Sequence, residues 1–260
     1  MELEGKVALV TGAGRGLGRA TALALAEQGA KVAALARSLP EVEETARMIR
    51  GQFGVGLSLA IRADITRESD VQAAFDTIRK RWGGVDILVN NAGDTGATRP
   101  ILSLSLAEWQ RALDVNLTGT FLCSREALRD MARRRWGRIV NISSGSASAA
   151  VPGLAAYSVA KAAVEHFTRQ LAAEAGPLGV VAVALRPGLV DTKMQEDIRN
   201  RPPDSITPEL RAAYLAYKRR GMLVPPERPA RIIAYLCSDR PGYINGRVLD
   251  ADEVEALLTR

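Results

Sequence analysis

The sequence predicts an α/β fold in which about seven parallel strands form one doubly wound sheet with helices on both faces. Short apolar segments alternate with longer helical segments through the first two thirds of the chain. The short segments are nearly continuous in apolar residues, as expected for strands that are buried on both sides of a parallel sheet. Repeated strand–helix–strand units also require crossover connections, which are right-handed in such sheets.

Seven strands are predicted, six from the apolar segments and a seventh close to the end of the chain. They cover Val7–Val10, Val32–Leu35, Leu57–Ile61, Ile87–Val89, Ile139–Ile142, Val180–Leu185 and Arg247–Leu249. Helices are predicted at Leu17–Gln28, Glu41–Arg50, Glu68–Trp82, Leu106–Arg135, Tyr157–Ala175 and Pro229–Cys237. A chain of 260 residues is long enough for one such domain, and we expect residues 1–260 to form a single domain.

Composition and charge exclude several classes of function. The chain is 47% hydrophobic and 25% charged, which is typical of globular domains. Its net charge of +6 comes from scattered basic residues with one run at Arg133–Arg135, so nucleic acid is not an expected partner. Cys123 and Cys237 have no metal-ligand spacing, so no metal site is expected. No segment has the length and apolarity of a signal region or membrane span, so we expect a cytoplasmic protein without a membrane partner.

A glycine-rich turn joins the first strand to the first helix. Its sequence is Thr11-Gly12-Ala13-Gly14-Arg15-Gly16-Leu17-Gly18. Glycines permit a tight turn and a close approach of backbone to a pyrophosphate, and the N–H groups at the helix start attract that anion. The spacing differs from the common G-x-G-x-x-G fingerprint, and no Gly-Lys-Ser/Thr closes a P-loop. In a repeating strand–helix chain the turn predicts a Rossmann-like dinucleotide site, with cofactor contacts at Gly12, Gly16, Leu17 and Gly18.

The end of the second predicted strand favours NADP(H) over NAD(H). A carboxylate at this place accepts hydrogen bonds from the adenosine ribose and repels a 2′-phosphate, but the chain has Ala36 there. Arg37 can form a charge-assisted fork onto the phosphate, and Arg15 in the neighbouring turn adds a second cation. Ser38 belongs to the same predicted contact set. The alternative is that Arg37 is only a solvated surface residue.

These segments, in this order, resemble the short-chain dehydrogenase/reductase family in its single-domain branch, from about Lys6 to Gly246. The matching motifs are Thr11-Gly12-x3-Gly16-x-Gly18, Asp64-Ile65, Asn90-Asn91-Ala92-Gly93, Asn116, Ser144, Tyr157-x3-Lys161 and Arg186-Pro187-Gly188. The resemblance implies a nicotinamide cofactor that extends from the glycine-rich turn across the ends of the strands. Its further contacts would be Asp64 and Ile65 beside the adenine, Asn90, Asn91, Ala92 and Gly93 under the cofactor, and Pro187, Gly188, Val190 and Thr192 around the nicotinamide.

The resemblance also implies hydride transfer between the nicotinamide and a carbonyl compound or secondary alcohol. Tyr157 and Lys161 are four residues apart on a predicted helix and share one face. We expect the Lys161 ammonium to lower the pKa of Tyr157, so that this phenol acts as general acid and base. Ser144 would bind the substrate oxygen, and Asn116 would organise a water and Lys161 into a proton relay. His166, nine residues after Tyr157, falls on the opposite side of the helix and is assigned to packing or solvent.

The substrate is not identified by the sequence. Residues 191–226 are polar and interrupted by prolines, with a helix expected over Pro208–Arg220, and they are a candidate lid over a small-molecule site. The motifs are most similar to 3-oxoacyl-carrier-protein reductases, but only Arg135 of the two basic positions expected for carrier docking is present, because Leu178 occupies the other. The residues expected to line the substrate pocket are small or apolar and allow many carbonyl compounds. They are Gly145, Ser146, Val151, Leu154 and Leu189.

Three alternatives and one departure from the family accompany this prediction. The chain can be a 3-oxoacyl-carrier-protein reductase, a non-catalytic NADP(H)-binding regulator, or an α/β methyltransferase, although methyl transfer has no use for Tyr157 and Lys161. The last strand is followed by Asp250-Ala251-Asp252-Glu253 instead of the family's Val-Asp-Gly-Gly, and the tail is a possible helix. We expect a homo-oligomer, either a dimer or a tetramer.

Overall fold

All seven strands of the structure join one parallel sheet. The computed structural model describes residues 1–241 and 244–258. The strands are β1 (Val7–Thr11), β2 (Lys31–Ala36), β3 (Ser58–Arg62), β4 (Ile87–Asn90), β5 (Gly137–Ile142), β6 (Val180–Arg186) and β7 (Val248–Asp250). Their order in the sheet is β3-β2-β1-β4-β5-β6-β7, so the predicted doubly wound α/β fold is confirmed. β1 and β4 are buried at every residue, as their continuous apolar sequences predict.

Helices cover both faces of this sheet. One face is covered by α1 (Gly16–Glu27), α2 (Leu39–Phe53), α9 (Glu227–Leu236) and α10 (Ala251–Leu258). The other is covered by α3 (Glu68–Trp82), α5 (Gly119–Arg134) and α6 (Ala155–Ala175). α3 shows why these segments are helical, since its first turn is acidic, its last turn is basic, and Gly83 ends it with a φ of 86°.

The predicted helix Leu106–Arg135 is not a regular α-helix. It consists of α4 (Leu106–Leu113), one π-helical turn at Asp114–Thr118, and then α5. The turn holds Asn116 with its side chain fully buried. Position 119, directly after the turn, has room only for glycine, because an ideal Cβ there would lie 2.5 Å from Cδ1 of Ile65. The interruption of the predicted helix therefore coincides with two tertiary contacts, the buried side chain of Asn116 and the packing of Gly119 against Ile65.

The strand order reverses between β1 and β4, and their carboxyl ends are held together by side-chain hydrogen bonds. Nδ2 of Asn91 donates to the carbonyl of Thr11 at 2.9 Å. The hydroxyl of Thr11 accepts from the backbone N–H groups of Asn91 at 3.1 Å and Ala92 at 3.0 Å. Ligands bind in doubly wound sheets at such a reversal point.

The candidate lid has more structure than the sequence predicts. It contains α7 (Lys193–Arg199), which was not expected, and α8 (Pro208–Arg219), which was expected to within one residue. An isolated bridge between Val190 and Val224 joins the two ends of the segment, and a second bridge attaches its middle, at Ile206, to Thr98 of the segment after β4. The tail after β7 is helical, as α10. Within the described part of the chain, none of the helices is long and apolar enough to span a membrane.

Candidate active site

A cleft of about 760 Å³ lies at the carboxyl ends of the strands, on both sides of the reversal point between β1 and β4. Its walls include every residue predicted to contact the cofactor, except Asn90, and three of the four predicted catalytic residues. Asn90 is buried beneath the cleft, where its amide donates to Ser124 and Asn141. The predicted residues that line the cleft are Gly12, Arg15, Gly16, Leu17, Gly18, Arg37, Ser38, Asp64, Ile65, Asn91, Ala92, Gly93, Ser144, Tyr157, Lys161, Pro187, Gly188, Val190 and Thr192.

The glycine-rich turn forms a cradle that added side chains would fill. An ideal Cβ at Gly18 would lie 2.2 Å from the carbonyl oxygen of Gly12, and one at Gly12 would lie 2.9 Å from Cα of Ala92. Gly12 and Gly16 also have φ values of 64° and 52°, which favour glycine. The first turn of α1 has no acidic residue, and the side chain of Arg15 does not cap it. The backbone N–H groups at this helix start can therefore hold a dinucleotide pyrophosphate.

The end of the cleft beside β2, where the adenosine is expected, has the two predicted arginines, Arg15 and Arg37, and a carboxylate that was not predicted, Glu41. Arg37 is exposed at the end of β2, and Nη1 of Arg15 lies 3.6 Å from Oε1 of Glu41. Glu41 packs so closely on the turn that an ideal Cβ at Gly14 would lie 2.8 Å from its Cβ. Burial raises the pKa of Asp64, but hydrogen bonds from Thr66 and the charge of Arg37 outweigh that effect and lower it.

Ser144, Tyr157 and Lys161 meet where β5 ends and α6 begins. A side-chain hydrogen bond with Ser144 acts to lower the pKa of Tyr157, and the hydroxyl of Ser144 accepts from the N–H of Ser146 at 3.2 Å. Nζ of Lys161 lies 5.7 Å from the centroid of the Tyr157 ring and donates to the carbonyl of Ile142 at 2.7 Å. The neighbouring hydroxyl of Ser143 instead donates to Oε1 of Glu165 at 2.7 Å. The structure thus separates the two adjacent serines, because only the hydroxyl of Ser144 is directed to the tyrosine.

The pKa values in this group follow from burial. Burial raises the pKa of Tyr157; the hydrogen bond with Ser144 acts in the opposite direction, and the charge of Asp94 raises it further. Burial also lowers the pKa of Lys161 to about 8. Burial is the largest effect and leaves the pKa of Tyr157 above its ordinary value, so the expected lowering by Lys161 stays a prediction. The phenol remains protonated at neutral pH and is suited to donate a proton.

Asn116 lies behind the cleft wall. Its Nδ2 donates to the carbonyls of Asp94 at 2.8 Å and Ala112 at 2.9 Å, and its Oδ1 accepts from the N–H of Asp94 at 3.3 Å. An ideal Cβ at Gly93 would lie 2.9 Å from Oδ1 of Asn116 and 3.5 Å from Nζ of Lys161. Asn116 and Lys161 are therefore neighbours across Gly93. The side-chain bonds of Asn116 hold the segment after β4.

The candidate lid, residues 191–226, lines the opposite side of the cleft. An ideal Cβ at Gly16 would lie 3.2 Å from Cγ2 of Thr192. Thr192 directly precedes α7, so the start of this helix covers the glycine-rich turn. His166, the single histidine of the sequence, is exposed on α6, where its ring contacts Gln170. Several cleft residues were not predicted, because they belong to none of the recognised motifs and reach the cleft only through the tertiary fold. These residues are Glu41, Thr95, Met194, Gln195, Ile198, Leu210, Ala213, Tyr214, Tyr217 and Asp250.

Comparisons with known proteins agree with this arrangement. The family model for short chain dehydrogenases matches residues 6–203. The 3-oxoacyl-[acyl-carrier-protein] reductase FabG of Aquifex aeolicus is 37% identical over 249 residues, which cover 96% of both chains. The cis-4-hydroxycyclohexanecarboxylate dehydrogenase of Sinomonas cyclohexanicum is 36% identical over 247 residues, covering 95% of both. The crystal structure of the Brucella melitensis 3-ketoacyl-(acyl-carrier-protein) reductase complexed with NADH has a TM-score of 0.83, 33% identity, and coverage of 95% of this chain and 97% of that one.

The fold and the cleft are those of a nicotinamide-dependent oxidoreductase that acts on carbonyl and alcohol groups of small molecules. The chain belongs to the short-chain dehydrogenase/reductase family. A second solved structure, that of the KRED1-Pglu enzyme, has a TM-score of 0.86 and 31% identity, and it covers 94% of this chain and all of its own.

Proposed function

We propose that this protein is an NADP(H)-dependent oxidoreductase that interconverts a carbonyl compound and its secondary alcohol, with Tyr157 as general acid and base. The observation that carries the proposal is the group of Ser144, Tyr157 and Lys161 at the wall of one cleft. We include in the proposal that residues 1–260 act as one domain and that residues 191–226 are the substrate lid. The expected homo-oligomer stays a prediction.

The proposed chemistry divides the work among three side chains. NADPH, when bound, supplies the hydride for the carbonyl carbon, and NADP⁺ accepts it in the reverse direction. The hydroxyl of Ser144 donates a hydrogen bond to the substrate oxygen and stabilises its developing negative charge. Tyr157 transfers a proton to that oxygen, and its raised pKa keeps it in the proton-donating form. Lys161, held by the Ile142 carbonyl, orients the cofactor ribose and stabilises the phenolate that Tyr157 becomes.

Replacing Tyr157 tests the proposed acid. A Tyr157→Phe protein keeps the ring, so we expect it to bind NADPH with an unchanged Kd while losing at least about 10³-fold in kcat. NADPH fluorescence measures the binding, and absorbance of NADPH with a panel of ketones measures turnover. His166→Phe is the matched control, because His166 is exposed outside the cleft, and its turnover should equal that of the wild type. Substantial turnover by Tyr157→Phe would contradict the assignment.

The preference for NADP(H) rests on the cations at the adenosine end. Arg37→Ala should raise KM for NADPH by about 10- to 100-fold and leave KM for NADH almost unchanged, because a charge-assisted bond to the 2′-phosphate is lost. Lys80→Ala removes one exposed positive charge outside the cleft and should change neither constant. Equal catalytic efficiency of the wild type with NADPH and NADH would contradict the preference.

A 3-oxoacyl-carrier-protein reductase is the more specific candidate. Its support is the activity named for several relatives that are 35–38% identical to this chain. A relative of similar identity acts, by its name, on a cyclohexane carboxylate, so the names do not select one substrate. Comparing a 3-oxoacyl carrier protein with the matching 3-oxoacyl pantetheine thioester separates the candidates, because only a carrier reductase gains from the protein part. A non-catalytic regulator is disfavoured by the intact group of Ser144, Tyr157 and Lys161.

A further inference from the structure

The end of the cleft beneath the lid is apolar. Its wall is formed on one side by the segment before α6 and on the other by α7 and α8. Leu154, Ile198 and Leu210 belong to one buried cluster, against which the partly buried Val151, Met194 and Tyr214 pack. All six line the cleft. A substrate that fills this end must therefore bring an apolar body.

The lid is anchored, so this apolar wall is already formed. The guanidinium of Arg201 donates to the carbonyl of Gly96 at 2.7 Å and to the hydroxyls of Thr98 at 2.8 Å and Thr95 at 3.0 Å. The hydroxyl of Thr98 donates to the carbonyl of Ser205 at 2.7 Å. These contacts fix the lid against the segment after β4.

The cations that line the described cleft are all engaged or lie at its adenosine end. Lys161 is bonded to the Ile142 carbonyl. Two bonds of 2.8 and 2.9 Å join Arg186 to Glu165, and Nζ of Lys193 lies 3.2 Å from the carboxylates of Glu196 and Asp197. The two remaining cations are Arg15 and Arg37, on either side of the adenosine site. Arg201 lies near Tyr214 but outside the cleft lining, and its guanidinium donates to Gly96, Thr98 and Thr95. A substrate carboxylate would therefore be desolvated here without a cation free to form a direct hydrogen bond, which is costly.

Tyr214 is a polar group on α8 at this apolar end of the cleft. Its ring packs against that of Tyr217 with centroids 5.6 Å apart. Within residues 1–241 and 244–258, no hydrogen bond to the Tyr214 hydroxyl is formed, so this group is free for a ligand. Burial, followed by the proximity of Tyr157, raises the pKa of Tyr214 to about 12, and the hydroxyl is therefore a neutral donor.

We propose that the cleft selects uncharged ketones with an apolar body over the matching carboxylates, and that Tyr214 determines this specificity. The inference rests on the carbonyl chemistry proposed above. The aromatic ring of Tyr214 covers the body of the substrate, and its hydroxyl donates to an uncharged oxygen such as that of an ester. Neither the ring nor the neutral hydroxyl of Tyr214 balances the negative charge of a carboxylate.

Two ketones that differ in charge and little in shape provide the test. They are methyl 4-oxocyclohexanecarboxylate and 4-oxocyclohexanecarboxylate, each assayed through NADPH absorbance. The wild type should have a kcat/KM for the ester at least about tenfold above that for the acid. Tyr214→Arg supplies the missing cation and should lower this ratio at least about tenfold. Leu215→Arg is the matched control, because it places the same charge on the exposed side of α8 and should leave the ratio unchanged.

An acid that reacts as well as the ester in the wild type would overturn the inference. An equal change of the ratio in Leu215→Arg and Tyr214→Arg would also overturn it, because the effect would then come from the general field. Failure of the carbonyl chemistry is distinguished by binding. Tyr157→Phe with NADP⁺ should be stabilised against thermal unfolding by the ester more than by the acid, even if the wild type turns over neither. Stabilisation by neither compound, or more by the acid, counts against the inference.

Discussion

The ammonium group of Lys161 is buried, donates a hydrogen bond to the Ile142 carbonyl, and lies near the ring of Tyr157. Burial lowers its pKa to about 8, well below the value of about 10.4 in an unfolded chain. Below pH 8 Lys161 is protonated in both states, but its charge is buried only in the folded protein. This burial is a penalty on the free energy of unfolding. Between pH 8 and 10 the unfolded chain binds more protons, so this penalty decreases as the pH rises.

This penalty predicts a pH-dependent difference between the wild type and Lys161→Met. Methionine keeps the length of the side chain and removes the charge. The free energy of unfolding of the wild type, relative to Lys161→Met, should increase on the order of 2 kcal/mol between pH 7 and pH 9.5. Chemical denaturation at the two pH values measures it. If the difference in unfolding free energy between the two proteins were the same at both pH values, burial would not lower the pKa of Lys161.

At the scale of secondary-structure elements, the π-helical turn determines the position of a cleft residue. Gly119 comes directly after the turn, and Ile65, which lies in the cleft wall, occupies the space where a side chain at Gly119 would be. An alanine in a helix is normally more stable than a glycine by about 0.5–1 kcal/mol. Here the packing contact should reverse that sign.

Gly119→Ala is therefore expected to destabilise the protein by about 1–3 kcal/mol, since the added methyl group overlaps Ile65. Gly51→Ala is the matched control, because Gly51 lies in α2 and no atom is within 4 Å of the added Cβ. That variant should be unchanged or more stable. Urea denaturation of both variants decides the matter, and a Gly119→Ala protein as stable as Gly51→Ala would refute the packing argument.

At the scale of the whole molecule, two layers of core share one sheet. Phe75 of α3 is fully buried in the layer that also contains residues of α5 and α6. Phe75→Ala should lower the free energy of unfolding by about 3–5 kcal/mol, because it removes a large buried ring and leaves a cavity. Val55→Ala, at a position that is 92% exposed, should change it by less than about 0.5 kcal/mol. Denaturation followed by circular dichroism compares them, and equal losses would contradict the predicted core.

Most of the fold could be predicted from the sequence, because buried parallel strands have continuous apolar segments. The bounds of α3 agree with the prediction, and the predicted phosphate turn, strand ends and three of the four predicted catalytic side chains line one cleft. The π-helical turn could not be predicted, since it depends on contacts of Asn116 with Asp94, 22 residues away. Glu41 and Tyr214 were missed for the same reason: their roles depend on tertiary proximity and no motif contains them.

The strand order of the sheet also places the residue expected to choose the cofactor, Arg37, away from the reacting group of Ser144. Arg37 follows β2, whereas Ser144 follows β5, and β1 and β4 lie between them. Three strand spacings correspond to about 14 Å. If Arg37 binds the 2′-phosphate as proposed, we expect exchanges at the β2 end to alter the choice of cofactor while the reacting groups at the β5 end keep their geometry.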